Sequence, residues 1–119
     1  MNYTSMFLGC TSLVNAPALP ATELTQWCYQ NMFKGCTSLV NAPELPATTL
    51  TNGCYQRMFN GCTSLNNIEV NFTDWNASNT CTADWMVGVS ATGTFTKPSA
   101  LTETFGNSNI PSGWTVVNK

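Results

Sequence analysis

Six cysteines and six carboxylates are the residues best equipped for chemistry in this chain, and no histidine accompanies either set. The cysteines are Cys10, Cys28, Cys36, Cys54, Cys62 and Cys81. A nucleophilic thiol needs a nearby base, and a structural zinc site needs close cysteine pairs of the CxxC kind, which this spacing lacks. An even count in a short chain admits disulfides. A second arrangement is equally visible. Cys10, Cys36 and Cys62 fall 26 residues apart and share one slot, while Cys28, Cys54 and Cys81 share another. The cysteines therefore read either as rows of buried thiols, small hydrophobes in effect, or as pairs such as Cys28–Cys36 and Cys54–Cys62.

The carboxylates are Glu23, Glu44, Glu69, Asp74, Asp84 and Glu103. General acid–base work asks for a positioned pair or a carboxylate with a partner base. Glu44 occupies the slot that is Ala18 one copy earlier, and Glu23 the slot that is Thr49 one copy later, so both read as surface variation. In "TDWNASNTCTAD", Asp74, Asn76 and Ser78 alternate like the opening ligands of an EF-hand loop. The match then fails, because the sixth position is not glycine and Trp85 stands where the bidentate acid belongs. A polar insertion is the better reading. The residue types thus name no catalytic group, no cofactor and no metal site.

Composition narrows the partners. Charged residues make up 8% of the 119-residue chain, against roughly 25% in soluble domains. Only Lys34, Arg57, Lys97 and Lys119 are basic, too few and too scattered to neutralise a run of phosphates, which excludes nucleic acid. No run approaches the ~18 apolar residues of a membrane span. No charged leader followed by an apolar stretch is visible. Hydroxyl and amide side chains carry the polarity, a composition that suits an extracellular, cell-surface or virion protein.

The cysteine spacing belongs to a larger pattern. Residues 3–28 read "YTSMFLGCTSLVNAPALPATELTQWC", residues 29–54 repeat them almost word for word, and Tyr55 opens a third copy with "YQRMFNGCTSL". A fixed period of this length predicts units that stack because none can bury its apolar face alone. Within one unit, Thr48 or Thr49 can cap a helix, Leu50, Cys54 and Met58 follow at i, i+4 and i+8 with Phe59 alongside, and Gly61 suits the stop. Extended segments are expected at Leu13–Ala16 and Leu39–Ala42, ended by Pro17, Pro20, Pro43 and Pro46, and in the third copy at Ile68, Val70 and Phe72. The expected class is α/β: a solenoid with short parallel strands on one face and short helices on the other. Residues 1–72 hold the units (3–28, 29–54 and a partial third at 55–72), and residues 73–119 a degenerate copy and a β-rich C-terminal cap. In the degenerate copy, Trp85, Met86, Gly88 and Val89 align with Met58, Phe59, Gly61 and Cys62 at a shift of 27. Beyond it, "TGTFT" and "GWTVV" are strand-prone.

The octapeptides "MFLGCTSL", "MFKGCTSL" and "MFNGCTSL", with the tail "AP-x-LP", resemble the core of BspA-like leucine-rich repeats of Bacteroides-type surface and phage proteins. The resemblance covers about residues 1–72. It implies a leucine-rich-repeat solenoid, a role in adhesion or protein recognition, and no catalytic residues.

The expected function is therefore a non-enzymatic binding module that recognises a protein through positions varying between copies. Those positions include Gln30 and Gln56, Asn31 and Arg57, Lys34, and Glu44, with Trp27 and Trp75 as candidate aromatic anchors. A structural or assembly segment of a phage or cell-surface appendage is the alternative, and carbohydrate binding through Trp27 and Trp75 a distant third. The first copy opens without a preceding extended segment, so Met6 and Phe7 are expected in an uncovered end layer and predict a homodimer.

Overall fold

Alternate backbone N–H groups in each copy point in different directions, and that alternation determines the fold. In the second copy the N–H groups of Gln30, Met32, Lys34 and Cys36 donate to Trp27, Tyr29, Asn31 and Phe33, three residues back. The intervening groups of Tyr29, Asn31, Phe33 and Gly35 donate instead to Cys54, Gln56, Met58 and Asn60 of the next copy, at 2.8 to 3.0 Å. Residues 29–36 are thus a run of tight turns, stitched sideways to the copy that follows. A computed structural model describes residues 3–19 and 21–119; Pro20, one of the expected strand-ending prolines, lies outside them.

This arrangement overturns the expected α/β solenoid. The only helical element among the described residues is a 3-10 turn at Ala77–Asn79, and no helix lines any face. An α-helix satisfies its N–H groups internally, four residues back, and leaves none for a neighbouring copy. Three slots per copy also sit in the left-handed region that breaks a helix. One holds Trp27, Gly53 and Thr80; the next holds Ser5, Asn31, Arg57 and Asp84; the last holds Gly9, Gly35, Gly61 and Gly88. The apolar stripe itself is real: Leu50, Cys54, Met58 and Phe59 are all buried. It recurs every four residues because the turns do. The molecule measures 35 × 33 × 22 Å.

Sheet forms where proline is absent. The segments of the first two copies reach their neighbours through isolated parallel bridges, Asn15 to Asn41, Asn41 to Asn67 and Leu45 to Val70. Pro17, Pro43 and Pro46 remove donors around them, which shortens any ladder. In the third copy "NNIEVNF" has no proline, and β1 (Asn67–Glu69) pairs with β2 (Thr94–Lys97), which pairs with β3 (Thr115–Asn118). All three run parallel, in the order β1-β2-β3. Ile68 lies opposite Phe95, and Phe95 opposite Val116.

The core lies between the run of turns and the extended segments. Met32, Phe33, Cys36, Tyr55, Met58, Phe59 and Cys62 enter it from the turns, and Leu39, Leu45, Leu65, Ile68, Val70 and Phe95 from the other side. Equivalent rings stack from copy to copy: Tyr3 on Tyr29, Tyr29 on Tyr55, Phe7 on Phe33, and Phe33 on Phe59, with centroids 5.5 to 6.1 Å apart. The copy at 81–89 joins one residue late, so that Phe59 N–H reaches Trp85 O and Gly61 N–H reaches Val87 O.

Candidate protein-recognition surface

The cysteines are all free thiols. Neither Cys28–Cys36 nor Cys54–Cys62 is bridged, and of the two arrangements open in the sequence the rows form. Cys36 Sγ donates to Phe7 O at 3.1 Å and Cys62 Sγ to Phe33 O at 3.0 Å. Cys81 Sγ likewise donates to Thr51 O at 2.9 Å. Loss of solvent, the largest cause in each case, pushes the Cys54 and Cys62 thiols up to about 12 and raises Cys28, Cys36 and Cys81 as well. Nucleophilic thiols show the opposite shift. Cys10, in the first copy, is half-exposed where Cys36 and Cys62 are fully buried.

Among the described residues no three of His, Cys, Asp and Glu are placed to hold a metal ion. The loop at 74–79 closes on itself: Asp74 Oδ1 accepts from the Asn76 N–H, and Asn76 Oδ1 accepts from Asn79 Nδ2. Asn76 Nδ2 donates to Leu50 O. No described helix is long and apolar enough to cross a membrane.

The expected partner-binding residues part company. Gln30 and Gln56 lie side by side, with Gln30 Nε2 donating to Gln56 Oε1 at 2.6 Å. Asn31, Lys34 and Arg57 are half-exposed on the same run of turns. The Asn31 Oδ1 atom is buried and accepts no hydrogen bond. Glu44 is exposed and accepts from Asn71 Nδ2 at 3.4 Å. Trp75 does not join them. It is buried in a cluster with Phe72, Trp85 and Phe95, and its Nε1 donates to Thr102 O at 2.8 Å. Trp27 is half-buried, its ring lying against Gly53, where a Cβ would collide with it. The two tryptophans therefore form no shared platform on which a sugar could stack.

The first copy carries an open apolar recess. About 630 Å³ opens between the turns at 3–10 and the described residues 17–19 and 21–25. Its floor is Cys28, Tyr29 and Met32 of the second copy, and its walls include Phe7, Leu19 and Leu24. Beside it Met6 is 57% exposed and Leu8 52% exposed, while Met32 and Met58, the counterparts of Met6, are buried. Sequence reading pointed to Met6 and Phe7 for this end; Leu8, which replaces Lys34 and Asn60 of the later copies, is legible there as one of the exposed positions that vary between copies. An apolar residue in a slot that is polar elsewhere in the repeat was the available signal.

The opposite end is closed by the chain itself. Asp84 N–H donates to Ser108 Oγ, Met86 N–H to Asn107 O, and Thr82 Oγ1 to Ser108 O, at 2.7 to 3.0 Å. At the end of β2, Lys97 is buried and donates through Nζ to Leu101 O at 2.7 Å and Pro98 O at 3.3 Å. Comparison with protein-family models, with curated proteins and with solved structures found no match.

Proposed function

We propose that this chain is a non-enzymatic protein-recognition module of a surface-exposed or secreted protein, and that it meets its partner at the first-copy end. One observation carries this: an apolar recess and two exposed apolar side chains lie at one end of the molecule, while loop 107–108 covers the other. Exposed apolar patches on small proteins commonly mark protein contacts. The triplicated "MFxGCTSL" motif and its likeness to BspA-like repeats support a role in adhesion, and the low charge supports an extracellular setting. The raised thiols and the self-satisfied 74–79 loop add nothing that chemistry could use.

The test is selection of displayed peptides against the immobilised full chain. Binders should lose at least tenfold in affinity on Leu8→Glu and keep it on Arg57→Glu. Failure to select any binder, or binders sensitive only to Arg57→Glu, would refute recognition at this end.

A further inference from the structure

The two ends of the stacked copies differ in hydrogen-bond polarity. Along the run of turns the backbone of the earlier copy donates and that of the later copy accepts: Phe7 to Met32 and Gly9 to Lys34, then Phe33 to Met58 and Gly35 to Asn60, then Phe59 to Trp85 and Gly61 to Val87. The last copy is therefore left with donors, which Ser108 and Asn107 take up at Asp84 and Met86. The first copy is left with acceptors. Its carbonyls in the slots of Met32 and Lys34 are those of Met6 and Leu8, and no described residue donates to either.

Polarity limits what can sit there. A second copy of this chain meeting the first head to head would set carbonyls against carbonyls, and its donor end is already covered. The expected homodimer is poorly matched for that reason. A suitable occupant supplies N–H groups on alternate residues, a flat ring over Phe7, and a backbone carbonyl within reach of Cys10 Sγ. The repeat itself does all three at its first two junctions: rings stack, N–H groups donate, and the earlier phenylalanine carbonyl accepts from the later cysteine.

We propose that the first-copy end docks one further turn of the same repeat, of the form Tyr-x-x-Met-Phe-x-Gly-Cys-Thr-Ser-Leu, presented by a partner polypeptide. This names the partner class for the recognition role proposed above and rests on it. Docking would bury Cys10 as Cys36 and Cys62 are buried.

The experiment tethers a copy of residues 29–54, its cysteines changed to alanine, to the amino end of the full chain through a long Gly/Ser linker. A flexible linker holds it at millimolar effective concentration. Alkylation of Cys10 is followed by mass spectrometry, with a scrambled copy as control. The repeat copy should slow Cys10 at least tenfold and the scrambled copy should not, and Leu8→Pro, which distorts the acceptor row, should abolish the protection. Protection no better than the scrambled control would overturn the proposal. So would a concentration-dependent dimer of the untethered chain that protects Cys10 equally well, which would assign the surface to a second copy. If unrelated displayed peptides protect Cys10 and the repeat copy does not, protein recognition stands and this partner falls. If neither protects, both fall.

Discussion

The rings of Phe33 and Phe59, 26 residues apart in sequence, stack with their centroids 5.8 Å apart and their planes inclined by 2°. Phe7 continues the column on the other side of Phe33 at 5.5 Å. Such ring pairs contribute about 0.5–1.5 kcal/mol beyond the area they bury. Stacking of identical residues fixes the register, because a slip would place rings against the smaller side chains beside them.

Leu39 is fully buried in the row of Leu13, Leu39 and Leu65. Leu39→Ala should destabilise the protein by about 2–5 kcal/mol through lost burial and the cavity left behind. Urea denaturation measures it. A loss below about 1 kcal/mol would mean the site collapses without cost.

The thiols give stability an alkaline limit. Cys54 and Cys62 lie near 12 in the folded chain against an ordinary 9.0, so above that ordinary value the unfolded state loses protons the folded state keeps. Their contribution is complete below the unfolded value and is lost as pH rises toward the folded one. Denaturation midpoints should hold up to about pH 9 and fall steadily above it. Cys54→Ala should flatten that fall. Thiol titration of the unreduced, denatured chain should return all six thiols.

Gly53 combines a φ of 62° with the Trp27 ring pressed on its Cα. Gly53→Ala should cost about 1–3 kcal/mol from the left-handed backbone and the displaced indole. In the double variant with Trp27→Gly the ring clash disappears, so the two changes should couple by more than about 0.5 kcal/mol in a double-mutant cycle. Strict additivity would show that the ring moves aside freely.

Lys97 is the sole donor to Leu101 O and Pro98 O among the side-chain contacts of the described residues. Lys97→Met keeps the volume and removes the donor, and should destabilise by about 1–3 kcal/mol. An unchanged denaturation midpoint would mean that water replaces the ammonium group without loss.

The spacing of Tyr, Phe, Gly and Cys determined by itself which residues meet. Pairs 26 apart touch, the fourth copy joins one residue late, and the runs at 92–96 and 113–117 lie where β2 and β3 form. Burial of Leu50, Cys54, Met58 and Phe59 was legible too, but the kind of backbone carrying them was not. Over nine residues, recurrence every four and a helical period of 3.6 mark the same positions. The choice between them lies in where each N–H points, and that depends on a neighbouring copy being present to accept. Asn31 and Arg57 adopt the left-handed conformation in equivalent slots, although only asparagine favours it, because the sideways bonds hold both there. Tertiary packing likewise decided that Trp75 goes inward, since only the assembled chain brings Thr102 within reach of its indole. The polarity of the two ends follows from the same cause: the direction of the inter-copy bonds is a property of the stack, and no single copy carries it.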